Sequence, residues 1–292
     1  MIRQSLGSRI FDIVNVVVLI AIALITLIPF VFVLSGSLTA SEELILRGVV
    51  LIPTKLSLDG YKYIFSTKTI LWSLSVTAFI TIAGTLINLF FTTLTAYPLA
   101  RNEFMGRRPI MLLILFTMLF SGGMIPTFLV VKSLGLLNSY GSLLIPGAIS
   151  AFNLIIIRNF FQQLPDGLEE SAKIDGCNDF QILIRIVLPL SLPAMATFAL
   201  FYAVGHWNTF FNAILYINDT TKWPIQVWLR QIVILSQGGV GDSQQMGSDY
   251  VAPPGEVIKM AVIVVSTVPI LLVYPFLQKH FAKGVLLGSV KG

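Results

Sequence analysis

Between Leu164 and Leu190 the chain reads LPDGLEESAKIDGCNDFQILIRIVLPL, a polar run set between two apolar tracts. Asp166 followed three residues later by Glu169 has the pattern of a helix capping box. Glu169 and Lys173 stand four apart in the favourable order for a helical ion pair, and Gly176 suits the residue that ends a helix. A helix of only about eight residues is too short to persist alone in water, so a tertiary contact must hold it. Leu168 and Ala172 share one face, and Ala172 is small enough to let another surface approach closely. These residue types in this order predict a docking element.

A second group lies at Tyr202, His206, Trp207, Asn208, Phe211 and Asn212. Asn208 and Asn212 are four apart, hence on one helical face, with the rings of Tyr202, Trp207 and Phe211 beside them. Amides next to flat apolar rings suit a hydroxyl-bearing solute that presents both polar edges and C–H faces. The same amides suit bonding between helices, and Trp207 suits an interfacial belt. His206 is the one ionisable group inside an apolar interval, which makes it a functional candidate by default, with a structural role as the alternative. Asn88 is a further polar candidate in the second interval.

Other chemistries find no support. One cysteine, Cys177, excludes an internal disulfide, and with only His206 and His280 there is no metal knuckle. No glycine-rich phosphate loop ending in Lys-Ser or Lys-Thr and no HExxH occurs, so the chain is expected to bind no cofactor and to be no enzyme. Ser75, Ser121 and His206 form no nucleophile and base constellation. The net charge of +5 comes from scattered bases that form no stripe, which argues against nucleic acid.

The elements that must position these residues follow from composition. Of 292 residues, 55% are hydrophobic and 11% charged, against about a quarter charged in a soluble domain. Intervals free of Asp, Glu, Lys and Arg run over 13–41, 69–100, 109–131, 133–157, 186–218 and 260–278. Each can hold a helix of about 20 residues that crosses a hydrocarbon core of roughly 30 Å. The first is too long for a signal peptide. An all-α integral membrane protein is expected, one transmembrane domain over 1–292, with spans near 13–38, 70–98, 109–131, 138–160, 187–214 and 258–279. Arg101, Arg107 and Arg108 crowd one short loop, which the positive-inside rule places in the cytoplasm together with both termini and the segment 164–189.

None of the six intervals contains a carboxylate, which weighs against an ion-gradient-driven transporter. In the third, Ser121, Gly122, Gly123 and Pro126 either weaken the helix or permit close packing. Trp223 to Leu235 is expected as an interfacial helix. The glycine-rich stretch from Ser236 to Pro254 fits a partner-contacting loop or a plain spacer, and Lys279 to Gly292 a partner-contacting tail or a lipid anchor.

The polar run resembles a known family. Glu170, Ala172, Gly176, Ile186, Leu188 and Pro189 fall at the spacing of the EAA motif of ABC importer permeases, with Ser171 in place of its first alanine. SGGMIP from Ser121, NLIIIRNFF from Asn153 and GHWNTFFNA from Gly205 are similar to carbohydrate-uptake permeases of the maltose-permease (MalG-like) class, in particular its LplC/YtcP-type group. The resemblance implies a type I importer fold in a bacterial cell membrane. It implies a cytoplasmic coupling helix at Leu168, Glu169, Glu170, Ala172, Asp175 and Gly176. It also implies a second, homologous permease, two ATPase subunits that bind ATP and Mg, and an extracellular or periplasmic sugar-binding protein. An oligosaccharide is the substrate it implies, with a non-sugar solute as the alternative; Tyr202, Trp207, Asn208, Phe211 and Asn212, on the residue chemistry above, are the candidates for its path.

Overall fold

A computed structural model describes residues 6–236 and 255–289. Among them all regular structure is helical, apart from one isolated bridge between Thr39 and Leu56. The chain forms two compact units. One comprises the described residues of Met1–Lys68 and Leu229–Thr267, the other those of Thr69–Trp228 and Val268–Gly292.

In the first unit, α1 (Leu6–Ser37) is apolar on every side and exposes its large side chains from Ile10 to Phe30, the pattern of a helix whose solvent is lipid. It leads into α2 (Ser41–Arg47) and α3 (Asp59–Ser66). The carboxylate of Glu43 organises the turn between them by accepting from the backbone N–H of Thr54 at 3.1 Å and of Lys55 at 3.0 Å, and by pairing with Arg47 at 3.0 Å. Hydrogen bonding from Thr54, outweighing the opposite effect of burial, holds this carboxyl below the usual range.

The second unit is built along α4 (Lys68–Ala100). Then come α5 (Arg107–Leu119), α6 (Met124–Ser133), the single turn α7 (Gly141–Leu144), α8 (Ala151–Phe161) and α9 (Asp166–Ile174). A further turn, α10 (Asp179–Ile182), runs through a π-helical segment, Leu183–Val187, into α11 (Leu188–Leu190). α12 (Leu192–Trp207), α13 (Phe211–Tyr216) and the start of the amphipathic α14 (Ile225–Ser236) follow; the rest of α14 and the first part of α15 (Glu256–Ser289) belong to the first unit, and the remainder of α15 ends the described chain. One apolar core joins the end of α4 to α8, α9, α10 and α12. A second joins the start of α4 to α6, α7, α13 and the start of α14.

Among the described residues three helices are long and apolar enough to cross a bilayer, Ile10–Ser37, Lys68–Ala100 and Glu256–Val273. The expected spans 109–131, 138–160 and 187–214 are not single helices. α5 and α6 are bent by 119° across the Ser121–Gly123 break, and the helical stretch Asp179–Leu190 meets α12 at 85°. A Cβ on Gly123 would touch nothing within 4 Å, and its φ of +84° is one that glycine adopts freely. The cluster therefore breaks the helix rather than permitting close packing. At the second break Pro189 and Pro193 contribute no N–H, so the ladder cannot run through Ser191 unbroken. The fourth expected span, 138–160, divides into α7 and α8 around a non-helical stretch at 145–150.

Candidate functional site

α9 is gripped along one face and open along the other. Ala172 is buried in the core that contains Leu99, Ala100, Ile157 and Phe161, where its single methyl lets the helix come close. Glu169 is 7% exposed and forms an ion pair with Arg101, which follows the end of α4; the Arg101 guanidinium in turn lies 4.6 Å over the ring of Tyr97. Lys173 reaches Glu103 at 3.4 Å, a second tie to the α4–α5 connection. Leu168, Glu170, Ile174, Asp175 and Gly176 are exposed, Ile174 at 86%. An apolar side chain so exposed beside a carboxylate gives this face both apolar and charged contacts to offer.

The ends of α9 are made differently from the sequence expectation. Its N-cap is Pro165, with Asp166 already inside the helix, and Glu169 spends its carboxylate on Arg101. The expected Glu169–Lys173 pair is likewise replaced by two longer-range pairs, because acceptable partners sit on the α4–α5 connection. A capping box does form, one element later, where Asn178 accepts from the Gln181 N–H at 2.9 Å and Gln181 accepts from the Asn178 N–H at 3.0 Å. The helix stops as expected. Gly176 has φ +80°, its N–H bonds Lys173 O at 3.0 Å, and the Cys177 N–H bonds Ala172 O at 2.9 Å. This is a Schellman arrangement, and Cys177 packs against the same core as Ala172.

The second group divides. The Tyr202 hydroxyl is buried against Thr92 Oγ1 at 2.8 Å, and Trp207 is buried at the end of α12. Asn208, Phe211 and Asn212 are exposed. Asn208 and Asn212 do not share a helical face. α12 ends at Trp207, Asn208 turns back to Val204 O at 2.9 Å, and α13 starts only at Phe211. Glu170, Asp175 and Gly176 lie on α9 and its C-terminal turn, in a different element from this group.

A ladder between α4 and α12 was not anticipated. Thr92 meets Tyr202 and, one turn along, Asn88 Oδ1 meets His206 Nε2 at 2.5 Å, while Asn88 Nδ2 bonds Gly147 O at 2.5 Å. Another turn along, a Cβ on Gly84 would lie 2.4 Å from His206 Nε2, so the ring rests directly on the backbone of α4. His206 therefore ties two helices together and serves packing. The signal was present in the sequence as Gly84, Asn88, Thr92, Ala96 and Ala100, small or polar at every fourth position of an apolar helix.

Among the described residues no group of three or more His, Cys, Asp or Glu is gathered as metal ligands. The stretch 237–254, residues 290–292 and the side chains of Lys279 and Lys283 lie outside the described residues, and with them the expectations for the loop and the tail.

A profile for the family described as binding-protein-dependent transport system inner membrane component matches residues 99–287. The polygalacturonan/rhamnogalacturonan transport system permease protein YtcP of Bacillus subtilis (strain 168) is 61% identical over 285 residues, 98% of this chain and 99% of that protein. Protein LplC of the same organism is 57% identical over 99% of this chain and 98% of its own length. Among solved structures, a bacterial ABC transporter involved in the import of the acidic polysaccharide alginate matches with a TM-score of 0.87 and 35% identity, over 96% of this chain and 100% of that one.

Proposed function

The chain belongs to the family of inner-membrane components of binding-protein-dependent transport systems, and from that premise we propose that α9 is where an ATP-hydrolysing partner grips it. The chain is a permease subunit of a sugar ABC importer. The observation that carries the docking reading is the division of α9 into a face clasped by Arg101 and the core and a face left exposed at Leu168, Glu170, Asp175 and Gly176. Glu169 and Ala172 act from within, holding the helix at the depth where its outer face is offered. Two cytoplasmic ATPase subunits bind ATP and Mg and supply the energy. A homologous second permease and an extracellular or periplasmic binding protein complete the assembly, in the cell membrane of a bacterium.

In this reading six spans form one transmembrane domain with both termini in the cytoplasm: α1, α4, the bent pair α5 and α6, α7 with α8, α10 through α13, and α15. The three arginines around the α4–α5 connection favour that orientation, which sets α9 on the cytoplasmic side. The solute is an acidic oligosaccharide, supported by the substrates named for YtcP and for the alginate importer. Asn208, Phe211 and Asn212, exposed around the break between α12 and α13, contact the passing sugar, with Tyr202 and Trp207 packed behind them.

The test is the assembled importer in proteoliposomes with its binding protein loaded with oligogalacturonate. Vanadate-sensitive ATP hydrolysis should rise with loaded binding protein, and Glu170→Lys or Gly176→Val should separate hydrolysis from uptake while the permease still inserts. A Cβ at residue 176 meets nothing within 4 Å, so that change acts through backbone strain alone, about 1–2 kcal/mol for a left-handed residue. Normal coupled uptake in both variants refutes the docking role.

A further inference from the structure

Where α5 begins, Arg107, Arg108 and Arg158 line an open groove of about 330 Å³ whose remaining walls are Met111 and Leu112. Among the described residues, none of the three guanidinium groups pairs with a carboxylate. Arg107 donates to Asn102 Oδ1, and Arg158 donates to Leu99 O at 3.1 Å and to Asn159 Oδ1 at 2.9 Å. Each guanidinium has five N–H donors, so each keeps several for another acceptor. Two acids of the α4–α5 connection and α9 are engaged elsewhere, Glu169 with Arg101 and Glu103 with Lys173.

Three cations meeting without a counter-charge at the first turn of a helix call for an anion, and the positive end of the α5 dipole adds to the attraction. The rest of α5 says which kind. None of its residues is buried, and Leu112, Leu113, Phe116 and Leu119 run outward from the groove as a continuous apolar surface. A free anion would use the arginines and leave that surface idle, whereas a phospholipid uses both, its phosphate on the guanidinium groups and its acyl chains along α5.

We propose that this groove binds the phosphate headgroup of an anionic phospholipid, with Arg107, Arg108 and Arg158 as its ligands. Its placement in the inner leaflet rests on the cytoplasmic position of α9 proposed above, since Arg101 and Lys173 join α9 to the same α4–α5 connection.

The test uses the assembled importer, delipidated in detergent and then titrated with phosphatidylglycerol or with phosphatidylcholine of the same acyl chains, with bound lipid counted by mass spectrometry. The wild-type complex should retain phosphatidylglycerol preferentially. Arg107→Gln with Arg108→Gln should weaken that retention about 30-fold, and Arg108→Gln alone about fivefold, at the usual strength of a basic residue near an anionic surface. The single variant keeps the test open if the double one fails to assemble, because Arg108 is exposed. Equal retention of both lipids, or unchanged retention in the variants, overturns the proposal. So does displacement by millimolar inorganic phosphate, which would mark a free-anion site, or loss of a partner subunit with lipid retention intact, which would mark a protein contact. Lipid counting reads neither leaflet nor hydrolysis, so its failure leaves the docking of α9 standing, and failure of docking leaves the lipid count unchanged.

Discussion

Replacing Gly84 by alanine should reveal how tightly α12 is laid on α4, and His206→Ala should reverse the effect. The new methyl would sit 2.4, 2.5 and 2.6 Å from three atoms of the His206 ring, against 3.4 Å or more for ordinary contact, so the ring must withdraw by about 1 Å. Withdrawal lengthens the 2.5 Å bond to Asn88 by at most the same amount, which weakens it towards the limit of useful hydrogen bonding. Overpacking of this size costs about 1–3 kcal/mol. An interhelical hydrogen bond within a membrane protein is worth only about 0.6 kcal/mol on average, so the steric part dominates and the total is about 2–4 kcal/mol. In the His206→Ala background the ring is gone and the methyl has room, so Gly84→Ala should then cost close to nothing. Reversible unfolding of the four proteins in mixed micelles measures the coupling, expected at about 2 kcal/mol or more by the double-mutant rule for touching residues. If Gly84→Ala is equally harmful with and without His206, the ring does not rest on α4 as described.

The clasp on α9 predicts a different pattern. Glu169→Ala strands Arg101 and Arg101→Ala strands Glu169, each costing roughly 3 kcal/mol, the lower end for a buried pair because the Arg101 side chain is 20% exposed. The double variant should be no less stable than either single one and should recover part of the lost ATPase retention on a pull-down; strictly additive losses would rule out the pairing. In the solute path, Asn208→Ala with Asn212→Ala should change oligosaccharide uptake without releasing the ATPase, because both side chains are exposed and neither holds α9. Loss of the protein from the membrane would assign them to packing instead.

What the sequence disclosed depended on whether the cause was local. α1, α4 and α15 follow from apolar length alone, and α14 from its amphipathic pattern, because backbone self-satisfaction in a bilayer leaves a long apolar run few other options. The break at Gly122 and Gly123 was signalled by composition, but apolar length gave no sign of the one after Trp207, where neither glycine nor proline marks the end of α12. α9 was legible in extent and in its Gly176 terminus, since a left-handed turn depends on one residue. Its N-terminal chemistry was misjudged because Glu169 had a local suitor in the capping box and a better one, Arg101, 68 positions earlier in the chain. Spacing along a helix cannot rank those two; only the fold brings the second within reach. The same holds for Glu43, whose backbone partners at Thr54 and Lys55 lie across a turn that no pattern announces.

The positions of Arg101 and of the α4 ladder bear jointly on how force would cross the molecule. A push on the outer face of α9 cannot be absorbed by α9 sliding over its neighbours, because Ala172 is embedded in the core and Glu169 is ion-paired at the end of α4. It is therefore delivered to α4, a single helix of 33 residues and so about 50 Å long at 1.5 Å per residue. α4 is fastened to α12 at Thr92, Asn88 and Gly84, three successive turns, so the two helices are constrained to move as one piece. The compliant points are those where the backbone ladder is already interrupted: the π-helical turn at Leu183–Val187, the bend at Ser191, and the break between Trp207 and Phe211. The last of these carries Asn208 and immediately precedes Asn212. If α9 docks as proposed, a stroke applied at Glu170 would be led, by rigid segments joined at soft ones, to the place proposed for the sugar, and weakening the α4–α12 ladder should loosen that transmission before it disturbs either end.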